Sequence, residues 1–389
     1  MIRLDELIQK LCPDGVEYKT VGVLANISRG RVMSKGYIAE NAGEYPVYSS
    51  QTENDGELGK ISTYDFEGEY LTWTTDGANA GSVFYRNGKF SVTNVCGLIN
   101  CNDDEILTRY MYHYLSKNAK SYVSSGMGNP KLMSNVMARI KVAVPPLEVQ
   151  REIVSILDSF TLRTAELTAE LTAELTARKK QYQYYLNHYF ESQLDNLVSL
   201  DSLGTLTRGK RFVHADATGQ GVPCIHYGEL YTYYGVYASN VKSHIREELR
   251  PKMRYAHKGD VIIVGAGENN IDIGIGVAWE GDEDVAVHDA CYILCHSQNS
   301  KYISYFLRSD MYHNQIKKYV SEGKICSISA KGLGKAMIPL PSIAEQQKIV
   351  EVLDRFDALC NDLTNGLPAE IEARQKQYEY YRDKLLSFK

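Results

Sequence analysis

The chain of 389 residues is short of several things. No apolar run approaches the roughly 20 residues that a membrane-spanning helix needs, so no membrane partner is expected. The opening MIRLDELIQKLCPDG sets acids among its apolar residues and holds no signal-peptide core, which makes the cytoplasm the expected location. Glycine and proline together are about a tenth of the chain, too few for a fibrous repeat or wholesale disorder. The cysteines, at 12, 96, 101, 224, 291, 295, 326 and 360, follow no disulfide spacing and read as reduced thiols. Cys291, Cys295 and His296 come nearest to a metal cluster. No second Cys/His pair lies at a matching distance, and AVHDACYILCH alternates like a buried strand, so both thiols are expected in a core and no metal is expected.

Enzyme motifs are also missing. Each Gly-Lys pair is followed by Ile61, Phe90, Arg211, Ile325 or Ala336, so none forms a phosphate-binding loop. Neither His-Glu-x-x-His nor Gly-x-Gly-x-x-Gly occurs. Pro145-Pro146 lacks the preceding Asn or Asp and the following aromatic of an amino-methyltransferase signature. No catalytic residue and no bound cofactor is therefore expected.

One absence is local. Residues 106–147 contain no Asp or Glu, yet carry Arg109, Lys117, Lys120, Lys131, Arg139 and Lys141. Residues 297–341 carry seven Lys and Arg against only Asp310 and Glu322. The whole chain has net charge -5, which excludes a uniformly basic nucleic-acid binder but not two local basic sites. The acidic runs at 53–69 and 268–289 are expected to face away from a polyanion or to meet another protein.

What is present is a repeat. Pro145, Gln150, Ile153, Val154, Leu157, Asp158 and Phe160 recur as Pro341, Gln346, Ile349, Val350, Leu353, Asp354 and Phe356. ARKKQYQYY (177–185) recurs as ARQKQYEYY (373–381) at the same offset of 196. Leu24, Arg29 and Gly30 correspond more weakly to Leu203, Arg208 and Gly209, so the second intervening domain is about 17 residues longer. Arg109, Tyr110 and Leu115 pair with Lys301, Tyr302 and Leu307. The order is domain, connector, domain, connector: 1–146, 147–194, 195–341 and 342–389.

The connectors read as long helices. Between Leu147 and Leu194 there is no Gly or Pro, and Ile153, Leu157, Phe160, Leu167 and Leu171 share one face. Tyr182, Tyr185 and Tyr189 continue a stripe, and Ile349, Leu353, Phe356, Tyr378 and Tyr381 supply its counterpart. Ser342 and Glu345 form a capping box, and Gly366 with Pro368 predicts a break. Helices this long need a partner, and the economical arrangement is an antiparallel pair. TAELTAELTAELTA (164–177) steps by four, so Leu167, Leu171 and Leu175 precess by about 40° per copy beside an acidic stripe of Glu166, Glu170 and Glu174. The domains read as mixed α/β, with short strands between Gly, Asn and Asp turns and paired helices at 110–115 and 302–307.

Two diverged domains that each keep a basic stretch in the same place fit a polyanion touched twice. SSGMGNPK (124–131) and SEGKICS (321–327) are equivalent polar loops, as are RGRVMSK (29–35) and RGKRF (208–212). Arg29, Arg31, Asn129, Lys131, Arg208, Lys210, Arg211 and Lys324 are the candidate DNA contacts. Arg can fork onto guanine and Asn can read adenine.

The two variable domains, the strings EQQKIVEVLDRFD and RQKQYEYYRDKLLSF, and the TAEL array resemble the specificity subunit of Type I restriction-modification systems, closest to the subclass with TAEL repeats in its central helix. The resemblance implies two target-recognition domains held apart by an antiparallel helical spacer. It implies double-stranded DNA as ligand, two methylation subunits carrying S-adenosylmethionine, and optional restriction subunits (motor and nuclease) using ATP and Mg. The expected target is then two unlike half-sites around an unread spacer. One TAEL copy adds about 6 Å and 40°, against about 3.4 Å and roughly 35° per base pair. Two other readings compete: a stand-alone DNA-modifying enzyme, and a coiled-coil adaptor that only joins proteins.

Overall fold

The computed structural model describes residues 2–102, 104–124, 128–192, 196–362 and 365–388. The expected boundary at 194/195 and residues 125–127 of the first polar loop lie outside the described residues. The helices that position the site are α1 (Thr108–Asn118), α2 (Leu147–Ser192), α3 (Ser300–Phe306), α4 (Ile343–Asn361) and α5 (Leu367–Leu385). The chain forms two compact units, residues 1–168 with 373–389 and residues 169–372. Each unit combines a mixed α/β domain with part of α2.

The first unit is built on a six-stranded sheet. Its strands are β1 (Ala25–Arg29), β2 (Ala42–Tyr48), β3 (Glu57–Ile61), β4 (Phe66–Thr74), β5 (Val83–Val92) and β6 (Cys96–Cys101), in the spatial order β1-β6-β4-β5-β2-β3. β4 and β5 form a hairpin from Phe66 opposite Phe90 to Trp73 opposite Val83. Leu71, Trp73 and Ile99 are buried against Tyr110, Met111 and Leu115 of α1. The same core continues into Val149, Ile153 and Leu157 of α2 and reaches Leu386. Burying one such aliphatic side chain contributes about 1.5–3 kcal/mol, so domain and helix are held as one body.

In the second unit the strands are β7 (Gly204–Arg208), β8 (Tyr237–Ala238), β9 (Val261–Val264), β10 (Gly276–Trp279) and β11 (Cys291–His296), in the order β7-β11-β9-β10-β8. The run β7-β11-β9-β10 repeats β1-β6-β4-β5 in order and antiparallel sense. The divergence lies beyond it. Where β2 runs parallel to the end of β5, the second domain builds a separate sheet of short strands, in which Cys224–Ile225 runs parallel to Ala286–Val287. Each domain is closed by a two-stranded ladder just before its helix: 17–20 with 141–144, and 197–199 with 337–339.

The helices follow their sequence signals. α2 runs unbroken for 46 residues. The Ser342 hydroxyl accepts from the Glu345 amide and caps α4. In the second connector α4 ends at Asn361 and α5 starts at Leu367, with Gly366 just ahead of α5 and Pro368 in its first turn, where proline is tolerated. Within the array Leu171 is buried and Leu167 and Leu175 are half-buried, while Glu166, Glu170 and Glu174 are exposed. The expected pair of stripes is there.

One expectation needs correction. Cys291 is buried, but Cys295 is exposed. β9 covers β11 only as far as Leu294, opposite Val261, so Cys295 projects past the end of the central strand and keeps a partner on one side only.

Candidate nucleic-acid interface

The recurring Arg-Gly pair marks the same corner in both domains. β1 ends at Arg29 and β7 at Arg208, and each is followed by a glycine at a close crossing. A side chain on Gly30 would meet the Val92 carbonyl oxygen, and one on Gly209 would meet those of Val287 and His288. Only glycine lets the backbone pass so near. The next residues, Arg31 and Lys210, then bridge Thr93 and His288.

Beside each corner lies the polar loop. Ser124 and Lys131 close the first loop through paired backbone bonds, as Ser321 and Ser327 close the second. The first loop is also held to the sheet, since the Leu132 amide donates to the Thr75 carbonyl and the Trp73 indole donates to the Leu132 carbonyl. Arg29 reaches across to this side, with Nε 3.4 Å from Ser134 Oγ and Nη2 3.8 Å from Met133 Sδ. In the second domain Arg208, Tyr319, Ser321, Ser327 and Ser329 line one cavity of about 320 Å³. Lys318 and Lys335 lie over the Tyr319 ring at 5.1 and 4.7 Å.

The structure thus brings Arg29 to the Lys131 loop and Arg208 to the Lys324 loop. Asn129, Lys131, Lys210, Arg211 and Lys324 are exposed. Arg31 is exposed but not idle. Its guanidinium donates to Asp65 (3.0 Å) and Tyr37 (3.1 Å), and the Tyr37 and Asp65 bonds hold its basicity above the usual value.

The acidic runs do not stand clear of the arginines. Asp65 grips Arg31, and Asp55 pins the buried Arg86 at 2.6 Å. Asp289 takes Arg208 through its carbonyl at 2.6 Å, with the carboxylate at 3.9 Å. The reason is electrostatic: an arginine fixed near other cations is steadied by a carboxylate. The rings of His226 and His288 lie 4.6 Å apart, tilted by 48°, and burial lowers the basicity of both.

A second feature, the socket between domain and helix, is duplicated more faithfully than the corners. Gln150 is fully buried. It accepts from the Leu107 amide (2.9 Å) and donates to the carbonyls of Pro145 (2.8 Å) and Glu105 (3.0 Å). Gln346 accepts from the Asn299 amide (3.1 Å) and donates to Pro341 (2.9 Å). Asp158 accepts from Arg109 (2.9 Å) and His113 (2.8 Å), while Asp354 accepts from Lys301 (3.0 Å) and Tyr305 (2.6 Å). Tyr110 and Tyr302 donate to the carbonyls of Ala143 and Pro339. Arg109 and Lys301, counted among the basic stretches, serve here as struts.

The helix residues divide between the units. In the first, Ile153 and Leu157 enter the core, Phe160 stacks on Tyr381 (5.6 Å, 10°), and Thr161 donates to the Tyr378 hydroxyl. In the second, Ile349 and Leu353 enter the core, and Tyr182 and Tyr185 meet Phe356 at 6.5 and 5.4 Å. Here α2 and α4 run antiparallel, with Tyr182 near Cys360 and Tyr189 near Glu345.

Sequence reasoning missed Asp65, Asp289, Ser134 and Ser329. The serines were findable, because each stands at the start of a short turn after its loop. The acids carried no signal, being 34 and 81 residues from their arginines.

A duplicated domain with an arginine corner and a helix socket defines a tandem recognition protein. A family model described as Type I restriction modification DNA specificity domain matches residues 13–177 and again 196–373. The chain belongs to that family, as a specificity subunit that recognises DNA and is not itself the enzyme. It is 34% identical over 370 residues to a protein named a type I specificity subunit from Mycoplasma pneumoniae (strain ATCC 29342 / M129), covering 94% of this chain and 96% of that one. It is 31% identical over 385 residues to one named a type I restriction enzyme specificity subunit from Haemophilus influenzae (strain Rd), covering 96% of each. Among solved structures, a chain from work on complex assembly and conformational transition of the type I system matches with TM-score 0.68 and 15% identity, over 96% of this chain and 98% of that one. The HsdS subunit from Thermoanaerobacter tengcongensis gives 0.55 at 15%, over 96% and 97%. At such identity these two likenesses establish the fold.

Proposed function

We propose that the chain reads a split, asymmetric DNA target, one half-site per domain, and directs two methylation subunits to it. The observation that carries this is the pairing of a repeated socket with differing loops: in both domains a glutamine bonds a backbone amide and the proline carbonyl and an aspartate takes a cation, while the loops beside Arg29 and Arg208 differ. Arg29, Arg31, Asn129 and Lys131 then belong to one half-site, and Arg208, Lys210, Arg211 and Lys324 to the other. α2 sets how many unread base pairs lie between them. S-adenosylmethionine belongs to the methylation subunits in this reading, and ATP and Mg to restriction subunits where the host supplies them. An apolar groove of about 460 Å³ on the second unit, lined by Tyr185, Tyr189, Ile349, Val352, Leu353 and Phe356, is the surface assigned to a methylation subunit. The complex works in the cytoplasm, where its DNA is.

Long-read methylome sequencing of a host expressing this chain with its methylation partner tests the reading. A bipartite motif with two unlike halves is expected. A continuous motif, or DNA modified by the purified chain alone, would refute it.

A further inference from the structure

We infer that Ile325 reads a base in the second half-site, packing its side chain on the 5-methyl group of a thymine in the major groove. This rests on the DNA-recognition reading above. Ile325 lies in the hairpin closed by the Ser321 amide on the Ser327 carbonyl (2.8 Å) and the Ser327 amide on the Ser321 carbonyl (3.0 Å). Its neighbour Cys326 is buried, and Cys326–Ser327 pairs with Ala266–Gly267. The Ile328 amide adds a bond to the Gly265 carbonyl at 2.9 Å. The chain is thus anchored one residue beyond Ile325, while Ile325 itself is 62% exposed.

An isoleucine in that position gains little for the fold, because much of its apolar surface stays in water. Its β-branch leaves few side-chain conformers, so it loses little freedom when a surface closes over it. What closes over it is set by the charges around it. Lys324 is exposed beside it, and the hairpin stem shares its cavity with Arg208. Both favour a polyanion. Of the groups that base pairs present in the major groove, the thymine methyl is the apolar one. An aliphatic side chain carried in next to Lys324, with Arg208 at the hairpin stem and Glu322 held by Asn270, therefore selects thymine.

Ile271 supplies the contrast. It is 73% exposed, but its turn carries Asp272 and is tied to Glu322 by the Asn270 amide (3.2 Å). Glu322 belongs to the Ile325 hairpin and is engaged there by Asn270, whereas Asp272 stands next to Ile271 itself, so Ile271 should not read a base.

The test uses the assembled methyltransferase and duplexes of its methylome-defined target, with each thymine replaced in turn by deoxyuracil. One buried methyl is worth about 0.8 kcal/mol, or about fourfold in affinity. Fluorescence anisotropy should show one thymine whose replacement weakens wild-type binding about fourfold. Ile325→Ala should abolish that difference, and Ile271→Ala should keep it. If Ile325→Ala retains every thymine-to-uracil difference, or if the target holds no sensitive thymine, the inference fails while sequence recognition stands. If the assembled complex selects no sequence, the recognition reading itself fails.

Discussion

Replacing Gln150 with alanine removes three hydrogen bonds at once and tests the socket directly. The Leu107 amide and the carbonyls of Glu105 and Pro145 lose their partner, at 2.9, 3.0 and 2.8 Å. A buried polar group left unpaired costs about 1–3 kcal/mol. The Pro145 bond is the most deeply buried of the three, and water can reach part of the other two. A total of about 2–4 kcal/mol follows, since such terms overlap. A two-unit protein need not unfold in one step, so a single melting temperature is the wrong measure. Native-state hydrogen exchange read by mass spectrometry resolves the segment instead. Exchange across 105–118 should accelerate by about 30- to 700-fold, at 1.4 kcal/mol per tenfold, while residues 299–307 keep their protection. Gln346→Ala should give the mirror result, loosening 299–307 only. Protection of 105–118 unchanged within threefold would show that the glutamine bonds do not hold domain to helix.

Other outcomes follow from the same geometry. Lys131→Ala and Lys324→Ala should each weaken DNA binding by the assembled complex and lower the salt slope by about 0.9; an unchanged slope places that residue away from phosphate. Adding or deleting one TAEL copy should change the unread spacer by one or two base pairs in the methylome and leave both half-sites intact; an altered half-site with a constant spacer would defeat the helical ruler. His113, His226, His288, His296 and His313 all have their basicity lowered by burial. Their folded pKa values lie below the unfolded value, so the unfolded chain binds protons first as pH falls. Stability is then full above about pH 7 and declines as pH drops below the ordinary imidazole value near 6.5, and native-state hydrogen-exchange protection around these histidines, corrected for intrinsic rates, should be weaker at pH 5.5 than at pH 7.5. Equal or stronger protection at pH 5.5 would contradict this.

The frame was legible because the socket leaves its mark in the sequence. Gln150 and Gln346 recur because each pairs a backbone amide and a backbone carbonyl at once, and Asp158 and Asp354 because each accepts from a cation and a second side chain. Gly30 and Gly209 recur because a carbonyl lies where a side chain would go. The strand order was not legible. The second domain's extra sheet is made of strands two to four residues long, too short to show a period. The clamp of Asp65 on Arg31 was hidden for a related reason, since long-range pairing of charges leaves no local pattern. The exposure of Cys295 depends on where a neighbouring strand ends, which its own sequence does not record.

The Asp65 clamp on Arg31 bears on the proposed DNA search. If Arg31 meets DNA as proposed, it does so with its charge already shared with Asp65. It must let go of one anion to take another, and the trade is worthwhile only where the surrounding contacts also fit. On the proposed reading, Asp65 would thus act as a toll on loose electrostatic sticking, trading some grip on bulk genome for faster release from the wrong place.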